Sequence, residues 1–156
     1  MKILRPLVAG AIGGLIGAAA MAPTHVMATK VSASPAPKGP KAEDATEKVA
    51  NAIAGQATRH SLARPDRKKG GQLVHFAFGA CVGALYGLLA SEYPIVTSSG
   101  GTLFGAGVYV GAHLIGVPAL GLAPTADENG VAAESAELAS HLVYGATTEK
   151  FRRALS

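Results

Sequence analysis

The sequence has no tryptophan, a single cysteine, and aromatic residues at only 5% of its 156 positions. Charge is scarce as well, at 15% of residues, where an ordinary globular chain carries about a quarter. A soluble domain short of both would have to build its water-facing surface from alanine and glycine. Disorder is excluded from the other side, because 49% of residues are hydrophobic and the mean hydropathy is +0.29, whereas disordered chains are low in hydrophobicity. The lone Cys81 rules out an intramolecular disulfide and any multi-cysteine metal or iron-sulfur site, and reads as a small packed residue. Also lacking is a basic helix interleaved with aromatics, so the net charge of +4 does not point to nucleic acid. In a membrane chain, positive charge marks cytoplasmic loops instead.

What is abundant is glycine, at 20 residues, set within long apolar runs. Leu7 to Met27 contains no Asp, Glu, Lys or Arg and, at 1.5 Å per residue, covers a hydrocarbon layer of about 30 Å. Residues 1–29 therefore read as a first transmembrane helix. A secretory signal peptide is the alternative, since Lys2 and Arg5 precede the run and V-M-A follows at 26–28. Lys30 to Lys41 (KVSASPAPKGPK) reads as an extended linker. Ala42 to Leu62 reads as a short amphipathic helix at the membrane surface, with Ala45, Val49, Ala52 and Ile53 along one side. The linker region, 30–70, closes on a basic knot of Arg64, Arg67, Lys68 and Lys69.

Residues 71–156 form the third part, a membrane domain of three helices. Gln72 to Pro94 and Gly100 to Pro124 make a helical hairpin around the turn-forming SSGG, and Val131 to Phe151 makes a further helix that carries Glu134, Glu137 and His141. The fold class is all-α: a bundle of three to four transmembrane helices packed through glycine strips. Gly79, Gly83 and Gly87 recur every four residues, as do Gly101 and Gly105, and Gly10, Gly14, Ala18 and Ala22 do the same in the first run. Such rows lie on one helix face and let a neighbouring backbone approach. None is a phosphate loop, because no GxxxxGK[ST] occurs.

Ionisable residues within spans are costly and usually face the bundle interior. Here they are His75, His113, Glu134, Glu137 and His141. Glu134, Glu137, His141, Tyr144 and Thr148 follow offsets of 3 and 4 that place them on one face. Glu137 and His141 stand i, i+4, where a carboxylate can meet an imidazole. Pro118 cannot donate to the Leu114 carbonyl and predicts a kink beside His113. Three readings follow: a His/Glu interior that responds to protons or acid stress, polar residues that only bond neighbouring helices in a non-catalytic assembly subunit, and a haem or metal site, for which His113 and His141 are the pair at compatible depth. His25 and His60 read as interfacial. No GxSxG occurs, and Ser91, Ser135 and Ser140 share no base that spacing identifies, so no catalytic residue is expected. The partners expected are the lipid bilayer and either a homo-oligomer or other membrane helices.

The segments HFAFGACVGALYGLL at 75–89, FGAGVYVGAHLIGVPALGL at 104–122 and HLVYGATTEKFRR at 141–153 together resemble the YagU-like family of uncharacterised bacterial inner-membrane proteins. The resemblance implies a small, multi-pass inner-membrane protein with no assigned reaction, and it carries over no catalytic residues. The basic loop between the first two apolar runs predicts that this end is cytoplasmic, a reading that places Lys2 and Arg5, and Lys150, Arg152 and Arg153 if the last helix spans, on the opposite side.

Overall fold

The computed structural model describes residues 3–31, 43–123 and 126–156, and its architecture follows from which helices can bring bare backbone together. Four long helices dominate: α1 (Leu4–Val31), α3 (Arg64–Glu92), α4 (Thr102–Ala119) and α5 (Val131–Leu155). The shorter α2 (Ala45–Thr58) precedes α3, and no strand occurs among the described residues. Leu4–Thr24, Arg64–Glu92 and Thr102–Ala119 are each long and apolar enough to cross a membrane. The linker over Lys30 to Lys41 falls largely outside the described residues, as does the side chain of His25.

α1 lies between α3 and α5 and runs antiparallel to both. Its two glycine rows point to different neighbours. A Cβ on Gly10 would fall 2.8 Å from the Gly87 Cα, and one on Gly14 2.8 Å from the Gly83 Cα. On the adjoining face, a Cβ on Gly13 would fall 2.6 Å from the Thr148 carbonyl oxygen and one on Gly17 2.8 Å from that of Tyr144. Real Cβ atoms do not come so close to backbone, so only glycine permits these crossings. In a lipid environment, where apolar burial between helices gains little, such close packing supplies the contact energy.

α4 packs on α5 by the same device. Gly101 has φ +89°, a left-handed conformation that favours glycine, and a Cβ there would lie 2.8 Å from that of Glu149. Gly105 rests on the His141 backbone, and Gly145 answers both. This defines two ends. At the turn end lie the α3–α4 turn, the start of α1 and the finish of α5. At the loop end lie α2, the starts of α3 and α5, and the finish of α4.

The basic knot is helical, forming the first turns of α3 rather than ending a linker. α2 docks on those turns through Ala50, which sits over Gly70, and Glu47, which sits over Gly71. Ile53 is exposed instead, because a helix approaching two glycines buries its smallest face. Asp44 caps α2 by accepting from the Glu47 amide at 2.9 Å. Lys48 Nζ donates to the Leu122 carbonyl at 2.7 Å and ties α2 to the chain beyond α4.

Before Pro118, α4 departs from α-geometry. Tyr109–Gly116 is π-helical, and the Val117 amide donates to the carbonyl of Ala112, five residues back. In an α-helix the Pro118 ring would press on the carbonyl four residues earlier. The wider π turn gives that ring room, so the proline is expressed as a change of helix type over the segment that carries Tyr109 and His113.

Candidate functional site

Polar groups in this bundle have no water to bond deep in the apolar layer, so each must find a protein partner. Among the described residues, every buried side-chain nitrogen and oxygen has one. The hydroxyls of Ser91, Ser135 and Ser140 each donate to a carbonyl of their own helix. Cys81 is exposed rather than packed.

The densest ionisable grouping lies between α4 and α5 toward the loop end. Tyr109 Oη donates to Glu134 Oε2 at 2.6 Å, and His113 Nε2 stands 3.3 Å from the same oxygen. Asn129 Nδ2 donates to Glu134 Oε1 at 2.9 Å. The carboxylate thus gathers partners from α4 and from the turn before α5. The rings of Tyr109 and His113 stack with centroids 5.3 Å apart, and His141 meets the Tyr109 ring edge-on at 5.6 Å and the His113 ring at 5.9 Å. The π-helical segment supports this arrangement: Tyr109 and His113 are one wide turn apart, so both reach across to α5.

Of the residues singled out by the sequence, the structure joins His113, Glu134 and His141 and adds Tyr109 and Asn129. It places the others elsewhere. His75 Nε2 meets the Ala18 carbonyl at 3.2 Å, on the α1 side of α3. Tyr144, which is buried, donates to the Gly79 carbonyl at 2.7 Å. His141 meets Glu137 through Nδ1 and the backbone carbonyl, at 2.8 Å. The row from Glu134 to Thr148 is therefore divided: its first part faces α4, while Tyr144 and Thr148 face α3 and α1. An α-helix drifts by about 20° per heptad, so a row at offsets of 3 and 4 turns gradually from one neighbour to the next. His60, beyond α2, is exposed, with Nδ1 2.7 Å from the Thr58 carbonyl.

A haem between His113 and His141 would need the space between their rings. The two imidazoles are in direct ring contact at 5.9 Å, Tyr109 packs against both, and His113 is turned toward Glu134. These residues do not fit the macrocycle. No group of three or more His, Cys, Asp or Glu side chains is arranged to hold a metal ion among the described residues.

Sequence reasoning missed a second buried grouping, at the turn end. Glu149 is only 2% exposed, yet its carboxylate accepts from Tyr86 Oη at 3.0 Å, from Arg152 Nε at 2.7 Å and Nη2 at 3.0 Å, and from Arg153 Nε. Tyr86 in turn stacks on Phe104 at 4.2 Å, so α3, α4 and α5 meet there. An acid three and four residues before two arginines was the available signal. The sequence shows both arginines only as positive charges near the chain's end, whereas in the structure Arg152 is drawn inward to Glu149.

An all-α bundle with three helices able to cross a membrane and an ionisable grouping between two of its helices has the form of a multi-helix membrane protein. The chain belongs to the family described as Protein of unknown function (DUF1440), whose model matches residues 52–150. That range takes in α3, α4, most of α5, the Glu134 grouping and Glu149, and leaves outside it α1 and the Arg152 and Arg153 that pair with Glu149. Comparison with curated proteins and with solved structures gives no match.

Proposed function

We propose that this is a multi-pass inner-membrane protein that binds and releases protons at the Tyr109, His113, Glu134 and His141 grouping and so couples its bundle to acidity. The observation that carries the reading is the convergence of Tyr109 and His113 on one oxygen of Glu134, with His141 against both rings. Histidine is the side chain that titrates nearest neutrality, and here two of them share a site with a carboxylate. The resemblance to YagU-like proteins supports the inner membrane. The basic loop end supports a cytoplasmic placement for that end, which makes Asn129 and Glu134 the entrance. α5 crosses alongside α1, against which it packs from Gly13 to Gly17.

The test is nuclear magnetic resonance of the full chain in lipid nanodiscs with nitrogen-15 histidine, from about pH 5 to 8, the range where histidine titrates. The imidazole resonances of this grouping should respond to pH, and Glu134→Gln should move the midpoint of that response. Absence of titration, or an unmoved midpoint, would overturn the reading.

A second reading, a helix-packing subunit that assembles with other membrane helices, is favoured by Gly107 and Gly111. They stand four apart on α4, and a Cβ added to either would meet no other part of the described chain within 4 Å, whereas one on Gly79 or Gly83 would strike α1. Crosslinking that depends on Gly111 but not on Glu134 would favour this reading.

A further inference from the structure

Lys48 joins α2 to the loop end of α4. α2 itself is fixed on the start of α3: Ala50 and Glu47 sit over Gly70 and Gly71, the Asn51 side chain accepts from the Leu62 amide at 2.9 Å, and Arg67 donates to the Leu62 carbonyl at 2.7 Å and pairs with Glu43. These contacts lie where the charged start of α3 gives way to its apolar stretch, since no Asp, Glu, Lys or Arg follows Lys69 until Glu92. α2 therefore stands at the edge of the apolar layer, within reach of water.

Toward this end α4 relies on side chains. Its glycine contact with α5 stops at Gly105, and of the three helices able to cross a membrane it buries the least. Its cap is firmly bonded: Gly121, at φ +67°, donates to the Pro118 carbonyl at 2.8 Å, and Leu122 donates to the Val117 carbonyl at 3.1 Å. This pair of bonds is the Schellman arrangement, and it ties Leu122 to the last turn of the helix. Lys48 Nζ donates to the Leu122 carbonyl at 2.7 Å. It thereby grips the cap from outside and sets an ammonium at the helix C-terminus, where the macrodipole favours positive charge.

Tyr109 and His113 lie on the π-helical segment that runs up to this cap. A shift of the cap carries both rings relative to α5, where Glu134 accepts from Tyr109 at 2.6 Å and stands 3.3 Å from His113 Nε2. Asn129 bonds the same carboxylate, His141 packs on both rings, Glu137 acts on Tyr109 through its charge, and His75 of α3 lies within electrostatic reach of His141.

We propose that Lys48 is a positioning residue for this grouping: by holding the α4 cap it keeps Tyr109 and His113 on Glu134, so that α2, at the water's edge, governs the site inside the bundle. The proposal rests on the proton-binding reading and adds its control.

The experiment compares the parent, Lys48→Met, Lys48→Arg, Glu134→Gln and the double variant Lys48→Met with Glu134→Gln, as full chains in lipid nanodiscs. Two quantities are read: the imidazole pH response, and hydrogen exchange of the Gly121 and Leu122 amides. Lys48→Met keeps the apolar stem and removes the donor. It should speed exchange of both amides about tenfold, the lower end for a lost charged hydrogen bond. It should also move the imidazole midpoint by about half a pH unit in the direction of Glu134→Gln, because both changes part imidazole from carboxylate. Lys48→Arg, which still donates, should behave as the parent in both. In the double variant exchange should still be fast, with the midpoint where Glu134→Gln alone sets it. Fast exchange with an unmoved midpoint in Lys48→Met would make Lys48 a clamp without influence on the site and overturn the proposal. A further midpoint shift of equal size in the double variant would overturn it too, by revealing a direct effect of the Lys48 charge. If Lys48→Met fails to fold by circular dichroism, Lys48→Gln, whose amide ends short of the carbonyl, carries the same expectations. A parent whose imidazole resonances ignore pH would bring down the proton-binding reading, and this proposal with it, whatever the exchange shows.

Discussion

The seam between α1 and α3 and the seam between α4 and α5 both use glycine, but they spend their length differently. Along the first, Gly10, Gly14 and Ala18 meet Gly87, Gly83 and Gly79 in one continuous run of backbone contact. Along the second, contact of that kind stops after Gly105. Beyond it the helices are held apart by Tyr109, His113, Glu134 and His141. Ionisable side chains need room, and glycine contact leaves none. A bundle can therefore combine a rigid seam with a chemical one only by ending its glycine strip early. Here that end coincides with the π-helical segment.

Gly83→Leu should break this contrast most severely. Its side chain would meet the Gly14 Cα, 2.6 Å from an ideal Cβ, and no side chain there can give way. A loss of about 3 kcal/mol, the upper end of overpacking penalties, is expected in reversible unfolding in mixed detergent. A loss near zero would show that the seam can open. Glu149→Ala comes next. It leaves Arg152 without its buried partner and should cost about 3 kcal/mol by the same assay, the lower end for broken buried pairs. Tyr109→Phe, which removes one donor to Glu134, should cost about 1.5 kcal/mol and alter the pH response of the grouping's imidazole resonances. If stability falls and the titration is unchanged, the α4–α5 seam is structural only. The smallest effect belongs to Gly111→Leu, within about 0.5 kcal/mol for the monomer. A larger change, measured together with loss of crosslinked dimer, would show that the α4 face is covered in the membrane.

Three of the four long helices were legible in the sequence because hydropathy and length report directly on what lipid accepts, while α5 showed itself by a polar row at offsets of 3 and 4, and Ser98 to Gly101 marked the turn. Helix partners were harder to read. A glycine strip announces close approach but does not name the neighbour, so the central place of α1 emerges only when its two rows are seen to face α3 and α5. At the ionisable site, His113, Glu134 and His141 stood out as polar residues in apolar helices. Tyr109 and Asn129 did not, since a tyrosine within a span and an asparagine in a loop are ordinary. Pro118 signalled a departure from regular helix, yet the signal for a π segment lies in backbone bonding five residues apart and leaves no residue pattern. Glu149 escaped notice because it falls off the polar row, on the face that Gly145 shares with Gly101.

The middle position of α1 has a consequence for how the molecule comes into being. A ribosome delivers α1 first, and α3 can pack on it, with α2 docked on α3, while the chain is still growing. The Gly13 and Gly17 face has no cover until α5 emerges, after everything else in the bundle has been made. Until then α1 offers an open glycine face to any other helix nearby in the bilayer. Assembly therefore has a waiting period, and an insertion factor or a neighbouring subunit that occupied this face would have to leave before α5 could dock.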